Sequence, residues 1–147
     1  MRAAPLVALA LLGAPAAAQD DAFSRQVDDA LAPAGATAPF LEYTGFFQAF
    51  RILAGPETEP GAAALQRELD MAVFSTILRQ QETGAEDRAV MDEIRPLIEA
   101  VSELYIARIV ANDDATGNVM DAGLTDTLAV CSDLRLQFLD AVEAPPD

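Results

Sequence analysis

The chain has 147 residues, one domain's worth, with 24 Asp and Glu against nine Arg and no Lys, for a net charge of −15. Phosphate backbones and anionic lipid surfaces repel such a chain, which excludes nucleic-acid binding and leaves a basic protein partner or a cation electrostatically allowed. There is no histidine and one cysteine, which removes His-based triads, Cys-His dyads, His-ligated zinc and haem, Glu-x-x-His di-iron sites and every paired-cysteine centre.

Residues 1–18 read MRAAPLVALALLGAPAAA. Arg2 supplies a positive start, residues 6–13 a short apolar core, and Ala16, Ala17 and Ala18 an A-x-A cleavage site, the pattern of a secretory signal peptide. The apolar run is too short for a membrane span, which needs ~20 residues. Residues 19–147 are then expected to form a single helical domain, whose charge becomes −16 once Arg2 is removed from the −15. Thirty alanines, and nine arginines without a lysine, point to GC-rich coding and a bacterial source. The expected location is therefore the periplasm or the exterior. Cys131 has no intrachain partner there, and is either buried or available for an intermolecular bond.

The spacing predicts a short first helix capped by Asp20 or Asp21 and ending near Leu31, with Phe23, Val27 and Leu31 on one face. Residues 32–39, APAGATAP, read as a small-residue linker. The stretch 40–53, FLEYTGFFQAFRIL, holds five of the nine aromatic residues. As a helix it places Tyr43, Phe46, Phe47 and Phe50 on one arc, with Thr37 as its N-cap and Gly55-Pro56 as its stop.

A third helix restarts at Thr58-Glu59-Pro60 and runs to about Glu82. Its expected core stripe is Leu65, Leu69, Ala72, Val73, Thr76 and Ile77, with Met71, Phe74 and Leu78 as a second ridge. Thr83 and Glu86 fit a capping box for a fourth helix, 85–111. That helix buries Val90, Ile94, Leu97, Ile98, Val101, Leu104 and Tyr105, and Pro96 is expected to kink or split it. After a loop over 112–118, with Asn118 as N-cap, a fifth helix spans 119–142. It buries Leu124, Leu128, Cys131, Leu134, Phe138 and Val142 behind a solvated stripe of Asp126, Asp133 and Asp140. The fold class is all-α: a compact bundle of four main helices plus a short N-terminal helix.

Four features carry candidate chemistry. Asn112, Asp114 and Thr116 fall at the first three ligand positions of a calcium loop, but the twelfth, which needs a bidentate Glu, is Gly123; a turn is the expected reading, and no metal or cofactor is expected. Arg108 and Arg135 fall within apolar stripes. They either snorkel from helix ends, are held by one of the chain's own acids such as Glu42, or converge on a carboxylate-bearing ligand. Cys131 lies one turn before Arg135, which lowers a thiol's pKa if the thiol is accessible; on an apolar face it is a small core residue. The aromatic helix is either the central core post or the wall of a groove.

The expected function is a non-enzymatic protein-interaction module with a basic partner. The alternative is a carrier of a small apolar or carboxylated ligand held by Tyr43, Phe47, Phe50, Arg108 and Arg135. A carboxylate enzyme would need two acids within ~10 Å in a cleft.

Overall fold

A computed structural model describes residues 16–143. The expected leader, residues 1–18, lies outside them except for its last three positions, which begin the first helix. In chain order come α1 (Ala16–Leu31), a 3-10 helix (Ala32–Thr37), α2 (Ala38–Ala54), α3 (Glu59–Thr83), α4 (Asp87–Thr116) and α5 (Ala122–Glu143). There is no strand among the described residues, so the chain is all-α. No described helix is long and apolar enough to cross a membrane.

The aromatic helix α2 is buried on nearly every side, with Leu41, Tyr43, Thr44, Gly45, Phe46, Phe47 and Ala49 all inside. A helix with so broad an apolar face belongs at the centre of a core. Accordingly α2 packs most extensively against α3 and α4, and it also touches α1. Phe46, fully buried, meets Phe50 and Tyr105 edge-on at 5.0 Å between ring centres. Burying one such ring is worth roughly 1.5–3 kcal/mol. The contact with α4 is close because residue 45 is glycine: a Cβ there would stand 2.8 Å from Val101 Cγ1 and 3.0 Å from the Ile98 carbonyl.

The expected linker 32–39 is instead mostly a 3-10 turn that buries Ala34 and Thr37. Gly35 allows it, at φ 58° and ψ −133°, which side chains disfavour. Thr37 does not cap α2; its hydroxyl donates to Glu82 Oε2 at 3.2 Å, tying the turn to the end of α3.

Between α2 and α3 the expected punctuation holds. Gly55 ends α2, and the Thr58 hydroxyl accepts the Gly61 N–H at 3.1 Å as the N-cap of α3. Which face of α3 is buried differs from expectation. Ala64, Met71, Phe74 and Ser75 face inward, whereas Leu69 and Val73 are 52% and 54% exposed and Leu65 is exposed as well. Phe74 decides it. Its ring lies 3.9 Å from Phe138 and 6.4 Å from Phe40, and turning α3 to bury Leu69 and Val73 would pull it out.

The capping box expected at Thr83 and Glu86 does not form. Thr83 is the last residue of α3, its hydroxyl donates to the Arg79 carbonyl, and Glu86 precedes α4 without a side-chain cap bond. Helix α4 runs unbroken through Pro96. Pro96 and Asp92 are both exposed, so the Asp92 carbonyl left without its helical N–H can face water. The helix also continues past the expected loop start to Thr116, ending at Gly117 with φ 68°. Its buried row of Val90, Ile94, Ile98, Val101 and Tyr105 is as expected, with Leu97 and Leu104 half-buried.

Helix α5 begins after Asp121, not at Asn118. Asp121 Oδ1 accepts the Leu124 N–H at 2.7 Å, while Asn118 accepts from Met120. Leu124 and Cys131 are fully buried; Leu128, Leu134 and Phe138 are half-buried. Long side chains hold this helix: Phe138 lies 5.6 Å from Phe40, and Arg135 pairs with Asp70 on α3.

Candidate functional site

Where α1, α2, α4 and α5 meet, they enclose a crevice of about 340 Å³. One wall is apolar, made by Phe23 and Val27 of α1 and the Tyr105 ring of α4. The others carry acids: Asp20 and Asp28 on α1, Glu42 on α2 and Asp126 on α5. A second hollow of about 290 Å³ lies between α1, the 3-10 turn and α2, and shares Asp28 and Glu42 with the first.

Glu42 sits half-buried on the aromatic helix, and its Oε1 accepts the Tyr105 hydroxyl at 2.7 Å. Burial pushes its pKa up, the Tyr105 bond opposes this, and the nearby Asp28 charge adds to the rise; the net direction is upward. Burial and the Glu42 charge likewise hold the Tyr105 phenol well above its ordinary value. Glu42 was expected as a candidate partner for the stripe arginines, and it pairs with the phenol instead.

Arg108 does not snorkel. Its Nη2 donates to Asp20 at 2.6 Å and to Asp121 at 2.9 Å, and its guanidinium lies 4.6 Å from the Phe23 ring centre. Asn112 joins the cluster by donating to Asp121 at 2.7 Å. Burial alone would raise Asp121, but bonds from the Leu124 N–H, Asn112 and Arg108 overturn that and hold it below its ordinary value. Gly123 permits the approach, since a Cβ there would fall 2.5 Å from Arg108 Nη2. Arg108 thereby clamps α1 and the start of α5 onto α4.

The expected ligand site is not assembled. Arg135 binds Asp70 at 2.7 Å on α3, so the two arginines do not converge. Tyr43 and Phe47 are buried, with Arg67 5.7 Å from the Phe47 ring centre, and Phe50 is half-buried against Phe46. Of the five residues, only Arg108 lines the crevice.

The calcium loop is likewise absent as a loop. Asn112, Asp114 and Thr116 lie in α4, and the Thr116 hydroxyl donates to the Asn112 carbonyl. No group of three or more Asp, Glu or Cys among the described residues could hold a metal ion. Cys131 is enclosed, and burial pushes its thiol up to about 12 although Arg67 and Arg135 pull the other way. That is a core residue, not a nucleophile.

The gathering of these acids in one crevice escaped sequence reasoning because they come from three helices. One signal was present: Tyr105 falls on a buried stripe, where its hydroxyl needs a partner, and Glu42 is flanked by two core residues. Comparison with protein-family models, curated proteins and solved structures gives no match, so the site stands on its own geometry.

Proposed function

We propose that this chain is an exported, non-enzymatic interaction module of the bacterial periplasm or exterior. In this reading it is a compact bundle of four main helices, α2 to α5, with α1 as the N-terminal helix, and it binds a basic protein partner. The distribution of charge carries the reading. Arg51, Arg79, Arg108 and Arg135 are each paired with the chain's own acids. By contrast Asp126, Asp133 and Asp140 on α5 are exposed, make no ion pair among the described residues, and have no unpaired arginine on their own helix. Such an uncompensated stripe steers a basic partner and sets its approach rate.

The non-enzymatic part rests on the absence of histidine and on the buried state of the one thiol. Crosslinking the exported protein in its own compartment and measuring association with the captured partner tests the reading. The association rate is expected to fall steeply with added salt and with the triple change Asp126→Asn, Asp133→Asn, Asp140→Asn. A rate insensitive to both overturns it.

The crevice beside Glu42 favours a second reading, a carrier of a small ligand. Its walls match a carboxylated ligand poorly, because its one cation, Arg108, is already bound to Asp20 and Asp121.

A further inference from the structure

The apolar ridge that the 3.6-residue period marks on α3 is the one the bundle leaves in water. Leu65, Leu69 and Val73, one turn apart, are 36%, 52% and 54% exposed. Around them the outward arc of α3, about 120° wide, holds Ala62, Gln66, Ala72 and Thr76 and no Asp, Glu or Arg. Two of its polar side chains are bonded within the helix: the Thr76 hydroxyl donates to the Ala72 carbonyl at 2.9 Å, and the Gln66 amide to Asp70 at 3.0 Å. The acids that flank Leu69 on either edge are neutralised from neighbouring helices, Glu68 by Arg51 of α2 and Asp70 by Arg135 of α5. In a chain of net charge −15 this makes an uncharged seam between two neutral rails. Ile52, 50% exposed, extends it from α2, one turn beyond the Gln48 that donates to Glu68.

We propose that this face of α3 pairs with the same face of a second copy of the chain, antiparallel across a two-fold axis near Leu69. Three features select a copy as the occupant. A ridge at i, i+4, i+8 packs well against its own kind, each side chain entering the groove between two of the other's. The two-fold sets Leu65 against Val73 of the second copy and Leu69 against itself, so the seam is self-complementary. Like-charged copies can approach closely only where neither presents an uncompensated charge, which holds on this face and fails on the α5 stripe. A basic partner gains nothing here, since Glu68 and Asp70 are already paired. Over the roughly 27 Å from Ala62 to Gln80, and a helix width of about 10 Å, the seam covers about 270 Å² a copy. Two such faces fall short of the ~1,200 Å² of stable complexes, so the pair is weak and reversible. This inference is independent of the basic-partner reading, which rests on the outer stripe of α5.

Sedimentation equilibrium of the purified chain from about 5 μM to about 1 mM, at low and at high salt, is the test. A monomer–dimer equilibrium that tightens as salt screens the mutual repulsion is expected, the opposite of the salt response of a basic partner. Leu69→Glu and Leu69→Arg should each leave a monomer with an unchanged circular dichroism spectrum, because residue 69 is set against itself. Mixing the two variants in equal amounts should restore the dimer. Val73→Gln should weaken the dimer about tenfold. If either Leu69 variant loses its fold, Val73→Gln, at an exposed position, decides alone. A chain that stays monomeric throughout overturns the proposal. So does a dimer that survives Leu69→Glu, a dimer that weakens with salt, or a mixture of the two variants that stays monomeric.

Discussion

A hydrogen bond from Tyr105 to Glu42 ties a core phenol to a half-buried carboxyl. Tyr105→Phe should cost about 1–2 kcal/mol in urea unfolding, since Glu42 is left without its donor. It should also push Glu42 further up, because that bond is the one influence lowering it. Glu42 and Asp121 respond to pH in opposite senses. A carboxyl raised by folding disfavours the folded state once ionised, so the contribution of Glu42 falls as pH climbs from its unfolded value through the raised one. Asp121 is held low; it contributes fully above its unfolded value and loses that contribution as pH drops through the folded one. Unfolding free energies between about pH 3 and about pH 8 should show Asp121→Asn destabilising near neutrality and converging with the parent in acid. Glu42→Gln should gain on the parent as pH rises. Cys131 should resist thiol reagents in the native chain at neutral pH and react fully in denaturant.

Among the elements, the contact between α2 and α4 depends on a missing side chain. Gly45→Ala inserts a methyl 2.8 Å from Val101 Cγ1 and against the Ile98 backbone, so the helices must part. A loss of about 1–3 kcal/mol is expected, and trimming Val101 to Ala in the same chain should recover part of it. The cap of α3 is more local: Thr58→Ala should cost ~1 kcal/mol by freeing the Gly61 N–H. Helix punctuation was legible where one residue's own chemistry decides it, as at Gly55 and Thr58. It was misread where several candidates compete within a few positions. Thr83 bonds back into α3 and Asn118 to Met120, and Asp121 caps α5 because it also reaches Arg108 and Asn112.

For the molecule as a whole, the centrality of α2 predicts a steep contrast between two apolar truncations. Phe46→Ala should cost about 3–5 kcal/mol, as for a fully enclosed aromatic, whereas Leu69→Ala, half in water, should cost well under 1 kcal/mol. Equilibrium denaturation of both variants checks it, and similar losses would mean that α3 is seated differently. Composition and periodicity alone determined the all-α class, the negative net charge, the exclusion of histidine and paired-cysteine chemistry, and the aromatic arc of residues 40–53. Each of these follows from residue type or from the 3.6-residue period along a single helix. Three things were decided only when the helices met: the face of α3 that is buried, the acids that hold Arg108 and Arg135, and the crevice around Glu42. The reason is physical. An apolar ridge is buried only if another helix has a complementary ring to meet it, and a charge pair or cavity wall drawn from separate helices has no period in the chain. The stretch 40–53 therefore carried its aromatic arc in its composition, while the partner of Glu42 had to come from Tyr105, 63 residues away.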